Sequence, residues 1–170
     1  KLAEAIETDQ LDARIAIVIS NQHCAGLAHA ANLGIETKVI ERRNFTTRQA
    51  HDAAIQNAIT SSSADYVFLA GYMAILGAEF TRAFAGKLIN IHPSLLPEFK
   101  GLDTHQRAIE AQARQHGATV HLVTTELDDG PIILQAELSI LPDDDADRLA
   151  ARVLQLEHHL YPLVLKCLCE

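Results

Sequence analysis

The chain has 170 residues, 48% of them hydrophobic, and a formal net charge of -8 at pH 7. That length and apolar share support one compact domain with its own core. The acidic balance argues against nucleic acid or anionic membrane as the main partner, since both call for a basic surface. The uncharged apolar run over residues 66–78 falls well short of the roughly 20 residues needed to cross a bilayer. Three cysteines without a CxxC pair suggest neither a disulfide framework nor a zinc site. Nine histidines without HExxH spacing add no metal motif. With no signal peptide visible, the expected location is the cytoplasm.

In chain order, residues 1–8 (KLAEAIET) read as a helix. An α/β chain normally opens instead with a strand and a glycine-rich turn whose N–H groups meet phosphate, so that strand and loop are expected to be absent from this sequence. Residues 14–20 (RIAIVIS) form a strand-type run. Residues 24–33 are Ala-rich and helical, with Gly34 as the stop. A short strand is expected at 38–40 and a helix at 46–59, capped by Thr46 or Thr47. Residues 66–70 are continuously apolar between Asp65 and Gly71, as in a strand buried on both faces. Residues 80–85 read as a helix and 87–92 as the next strand. This alternation predicts βαβ units and a mostly parallel sheet with helices on both faces.

After a proline-bearing loop, a helix is expected at 104–115 with Gly117 beyond its end. Strands at 119–124 and 132–140 are joined by so short a link that an antiparallel hairpin is predicted. Residues 147–165 close the chain as a helix interrupted or kinked at Pro162. The acidic run 143–145 suits that helix's N-terminus.

Alternation along 87–92 puts Leu88, Asn90 and His92 on one face and Ile89 and Ile91 on the other. Asn90 and His92 thus share the C-terminal end of a strand, where ligands bind in open α/β sheets. Pro93 and Pro97 stiffen the exit. The competing reading is a strand end turning polar as it meets solvent. Asp128 and Asp129 lie in the loop ELDDG, where one of them serves as a turn former and composition does not choose which. Glu157 stands on the inward stripe of the last helix with Val153, Leu160 and Val164, which is costly unless it is paired or borders a wet cavity. The alternative is a carboxylate bending to solvent. His105, His116, His121, His158 and His159 read as mostly structural or exposed, with His121 near the presumed site. Arg48 can clamp a carboxylate or simply line a solvated helix face.

The segments LINIHPSLLPEFKGLDTH (88–105), HGATVHLVTTELDDGPIILQ (116–135) and RVLQLEHHLYPLV (152–164), with DYVFLAGYMAIL (65–76), together resemble the phosphoribosylglycinamide formyltransferases, folate-dependent enzymes of purine synthesis. The likeness runs over nearly the whole chain. It implies a three-layer formyltransferase-like fold and a single domain over 1–170, N-terminally truncated. It also implies a catalytic trio of Asn90, His92 and Asp128, with Asp128 rather than Asp129 in the motif position. The co-substrate implied is 10-formyltetrahydrofolate, held by Arg48 at its glutamate tail and by Met73, Ala74, Ile75 and Leu76 at its pterin, with Asn90 and Asp128 also touching it. The amine of glycinamide ribonucleotide is the acceptor, with Gly71, Pro93 and Glu157 on its side and Glu157 holding the amine. No metal is implied, and a monomer or homodimer is expected. The resemblance further implies a cis Leu96–Pro97 bond.

Three departures stand out. The glycine-rich phosphate loop, which in the family precedes the position of Lys1, is expected to be absent. Asp103 stands where many members have His, which would set two carboxylates near each other. Ala74 replaces a frequent Arg. The rival readings are formyltetrahydrofolate deformylase, whose relatives usually carry a second His where Pro93 stands, and a folate-binding fragment without turnover. Methionyl-tRNA formyltransferase would need a further C-terminal domain and a more basic surface.

Overall fold

The computed structural model describes residues 1–170. Helix α1 (Leu2–Thr8) is followed by strand β1 (Val18–Ser20), helix α2 (Ala25–Asn32) and strand β2 (Thr37–Val39). Helix α3 (Arg48–Ser61), strand β3 (Val67–Leu69), helix α4 (Ala78–Ala83) and strand β4 (Leu88–His92) complete the βαβ half. Helix α5 (Thr104–Glu110), strands β5 (Gln115–Leu122) and β6 (Ile132–Ser139), and helix α6 (Ala146–Cys169) follow.

Strands β1 and β2 pair in parallel as a two-stranded sheet. The second sheet has the order β3-β4-β5-β6, parallel between β3 and β4 and antiparallel at the other two junctions. The α/β class and the antiparallel hairpin therefore appear as expected, but the sheet is in two pieces. Between them lies a cleft of about 1010 Å³, lined mostly by apolar side chains from residues 11–21 and 63–70 and from helices α1 and α6. Residues 14–17, expected as strand, border this cleft and pair with no neighbour, which is why β1 is only Val18–Ser20.

Two further expectations are corrected, the end of a helix and the interruption at Pro162. Helix α5 ends at Glu110 rather than at 115, and Gln115 to Gly117 belong to β5, opposite Ser139, Leu138 and Glu137 of β6. Cross-strand pairing at this edge outweighs the local helical signal. Helix α6 runs uninterrupted through Pro162. Its buried residues Leu160, Tyr161 and Val164 flank the proline on both sides, so packing holds the axis together despite the missing N–H.

Strand β4 carries the core on both faces. Ile89 packs with Ala118, Val120 and the α6 residues Leu149, Val153, Leu160, Tyr161 and Val164. Leu88 packs on the other side with Ile55, Ala58 and Ile59 of α3 and Phe80 of α4. Period-two alternation thus sends Asn90 and His92 out along the face that Leu88 starts, toward the α3 and α4 side. No helix is long and apolar enough to cross a membrane.

Candidate active site

The antiparallel register of β4 on β5 sets Asn90 opposite His121 and His92 opposite Thr119. Side chains at paired positions share a face, so four polar groups gather at the end of β4 by backbone pairing alone. His121 donates from Nδ1 to the Leu122 carbonyl at 3.0 Å. Burial pushes its pKa down, so the ring is neutral and Nε2 carries a lone pair. That lone pair accepts from Asn90 Nδ2 at 3.3 Å. The contact settles which way the Asn90 amide faces and leaves its second N–H to point elsewhere.

His92 is buried and donates from Nε2 to the Phe99 carbonyl at 3.0 Å. Its Nδ1 stands 3.4 Å from Asp128 Oδ2. Both nitrogens face acceptors, and the doubly protonated ring is the form that donates to both. Asp128 sits in the left-handed region at φ +46 and accepts the Gly101 N–H at 2.9 Å on Oδ2. Asp129 instead is ion-paired with Lys100 on the surface. Of the two candidates in ELDDG, only Asp128 reaches the histidine. A Cβ on Gly130 would lie 1.7 Å from the Leu122 carbonyl oxygen, so the loop folds down this tightly because residue 130 has no side chain. Asp103 is exposed at the start of α5, and the groups around the Asp128 carboxylate are Gly101, His92 and His121 rather than a second acid.

The loop after β4 is latched by residues that its own sequence does not reveal. Thr119 Oγ1 donates to the Ser94 carbonyl at 2.7 Å and accepts from the Leu96 N–H at 3.1 Å and from Gln135 Nε2 at 2.8 Å. Gln135 also donates to the Leu96 carbonyl at 2.9 Å, and Thr104 Oγ1 to the Pro93 carbonyl at 2.8 Å. The Leu96–Pro97 peptide is cis, as the resemblance implies.

Glu157 is half-buried on α6, and burial alone pushes its carboxyl up, with no cation or donor pulling it back. One turn on, the Tyr161 hydroxyl donates to the carbonyls of Leu69 at 2.7 Å and Ile89 at 3.0 Å, tying α6 to β3 and β4. The charge of Glu157 is near enough to push that hydroxyl up further, after burial itself.

A second cluster lies at the end of β3. Gly71 has φ +64, Met73, Ala74 and Ile75 are exposed, and Leu76 tucks against the α3 core. Arg48 at the start of α3 is half exposed, its Nε 3.8 Å from Asp52 Oδ2. The chain thus brings His92 to Asp128 directly and Asn90 to Asp128 through His121, and sets Arg48 near Tyr72 and Gly77, while Glu157 lies one turn before Tyr161 on α6. The large cleft between the sheets is lined by none of the trio. The sequence reading sets His121 near the site without giving it a role and does not anticipate Thr119, Gln135 or Asp52 there. The register of the hairpin on β4 is the signal that could have found the first three.

A histidine beside a carboxylate, with an amide donor joined to that carboxylate through His121, can polarise a carbonyl and move protons around it. The sequence profile of the formyl transferase family matches residues 1–165. The chain is 45% identical over 170 residues to the phosphoribosylglycinamide formyltransferase of Haemophilus influenzae, covering 99% of this chain and 80% of that one. It is 42% identical over 165 residues to the enzyme of that name from Escherichia coli, covering 96% and 78%. Its fold is similar to the crystal structure of phosphoribosylglycinamide formyltransferase from Brucella melitensis, with a TM-score of 0.93 and 45% identity, covering 99% of this chain and 87% of that one.

Proposed function

The chain belongs to the formyl transferase family, and we propose that it transfers the formyl group of 10-formyltetrahydrofolate to the amine of glycinamide ribonucleotide in purine synthesis. The observation that carries the assignment to residues is the convergence of Asn90, His92 and Asp128, with His92 Nδ1 3.4 Å from Asp128 Oδ2. The amine nitrogen attacks the formyl carbon, and the carbonyl electron pair moves to oxygen. The free Asn90 N–H and the His92 imidazolium stabilise that oxygen, donors of a kind commonly worth about 3 kcal/mol each. Asp128, directly or through water, takes the proton that the amine sheds. As the oxygen's electron pair returns, the bond from carbon to the folate nitrogen breaks, and that nitrogen receives a proton. The products are the formamide and tetrahydrofolate, with no change in oxidation state.

Glu157 holds the incoming amine on its unpaired carboxylate, beside Gly71 and Pro93. Arg48 faces the glutamate tail of the folate, and residues 73–76 receive the pterin. The partners in this reading are small molecules, the compartment is the cytoplasm, and the protein is a monomer or homodimer. The formal charge of -8 supports the exclusion of nucleic acid.

The test is to mix the protein with 10-formyltetrahydrofolate, with and without glycinamide ribonucleotide, and to follow tetrahydrofolate. Release only when the amine is present is the expected result. Release without the amine would instead identify a hydrolase, and folate binding without either product a scaffold.

A further inference from the structure

We propose that Asp52 is a positioning residue for the folate edge of the site, its buried carboxylate tying residues 71–77 to α3 and holding the Arg48 guanidinium beside them. The proposal rests on the reading of Arg48 and residues 73–76 as folate-binding. Asp52 is 7% exposed, an uncommon place for a carboxylate that belongs to no catalytic group. Its Oδ2 accepts the Gly77 N–H at 2.9 Å, a bond that spans 25 positions of sequence from α3 to the start of α4. The same oxygen is 3.8 Å from Arg48 Nε, one helical turn earlier. The remaining neighbour, His51 Nδ1, is 3.8 Å from Oδ1, while the other nitrogen of that ring donates to the Ile40 carbonyl at 2.8 Å.

One carboxylate oxygen therefore touches both parts of the proposed folate edge, the backbone that ends the 71–77 segment and the cation beside it. The contact is also close enough to limit the sequence. A Cβ on Gly77 would lie 2.8 Å from Asp52 Oδ2. Gly77 has φ -69, which any residue adopts, so a side chain added there would meet no backbone strain but would displace the carboxylate. The hydroxyl of Tyr72, in the middle of the tied segment, is pushed up by burial and then by the charge of Asp52.

The exposed side chains of Met73 and Ile75 need a fixed backbone to present them. Without the tie, their ordering would be charged against every binding event, which lowers affinity for the folate without altering the chemistry at Asn90.

Steady-state kinetics on four variants test this. Asp52→Ala is expected to raise KM for 10-formyltetrahydrofolate about tenfold, the loss appropriate to one charge-assisted hydrogen bond, and to leave kcat and KM for the ribonucleotide within about threefold. Asp52→Asn keeps an acceptor for the Gly77 N–H and is expected to recover part of that loss. Gly77→Ala, which forces the carboxylate off the N–H while leaving residue 52 in place, is expected to reproduce the folate defect and serves if Asp52→Ala does not fold. Arg48→Ala separates the two levels of inference. If Arg48→Ala raises the folate KM while Asp52→Ala and Gly77→Ala leave it unchanged, the proposal is overturned and the reading of the site stands. If Arg48→Ala has no effect either, both fall. Equal losses for both substrates, or a loss confined to kcat, would also overturn it.

Discussion

Asp128 holds its carboxylate at the tip of a left-handed residue, a conformation that costs an L-residue about 1 kcal/mol and that Asp tolerates better than most. The Gly101 N–H donates to its Oδ2, which the His92 ring also faces, while His121 faces Oδ1. Asn at 128 keeps an acceptor for Gly101 and the same turn geometry but cannot take a proton, so Asp128→Asn is expected to lose about 10²- to 10⁴-fold in kcat. His92→Ala removes a donor to the oxyanion and is expected to lose about 10²- to 10³-fold. Both should keep the wild-type circular dichroism; loss of folding in both would return these residues to a structural role. Glu157 is different because its effect is on an amine that arrives from outside. Burial has raised its pKa above the ordinary 4.5, so as pH falls its charge disappears earlier than that of an exposed glutamate. The KM for glycinamide ribonucleotide should therefore rise as pH is lowered from neutrality toward that raised value. Glu157→Gln should show a high KM throughout and no such pH dependence, with the folate KM unchanged. A variant whose amine KM still follows pH as the wild type does would remove Glu157 from this role.

Among the elements, the segment from Pro93 to Thr104 shows best what local sequence can and cannot disclose. Its prolines and its position after a strand are legible, and so is the shared face of Asn90 and His92, because both follow from neighbours in the chain. What holds the segment is not local. Thr119 Oγ1 saturates its one donor and two acceptor sites on Ser94, Leu96 and Gln135, partners 16 to 25 positions away. Thr119→Val keeps the shape and leaves the Leu96 N–H and the Ser94 carbonyl without this partner. The expected cost is about 1–3 kcal/mol in urea unfolding, together with a fall in kcat as Phe99 and Gly101 loosen around His92 and Asp128. Unchanged stability would mean that water replaces the hydroxyl and that the latch is not what holds the loop. The same limit explains the misplaced end of α5. Thr104 to Gln115 carries a helical composition throughout, but His116, Gly117 and Ala118 are fully committed to pairing with β6, and a Cβ on Gly117 would meet the Ala136 carbonyl oxygen at 2.0 Å. That glycine looks like a helix stop when only its own neighbours are read, and it is a strand contact once β6 is in place.

At the scale of the whole molecule, β4 is the wall between two cores and the edge from which the site projects, so the site's ionisable groups are linked to global stability. The clearest case is His116, fully buried, with Nε2 3.1 Å from His105 Nδ1 and no partner for Nδ1. Burial first, and then the nearby rings of His105 and His92, push its pKa from 6.5 down to about 4. A histidine depressed in the folded state contributes stability that is fully present above its unfolded value of 6.5 and is lost as pH falls through about 4. A shift of that size corresponds to about 3 kcal/mol at most. Burial lowers His105 and His121 as well, so they add to the loss in the same direction. Glu157, raised by burial, works against them, because protonating it on acidification relieves a buried charge. His116 is the one of these four with a large shift, so the protein should lose stability as pH falls from 6.5 toward 4. Urea unfolding at pH 7 and at pH 4.5 measures it. Replacing His116 with Gln supplies a polar side chain of similar reach that cannot take a proton. Part of the acid loss should then vanish, even if the variant is less stable at pH 7. Parallel pH profiles for the variant and the wild type would show that His116 is not where the acid sensitivity resides.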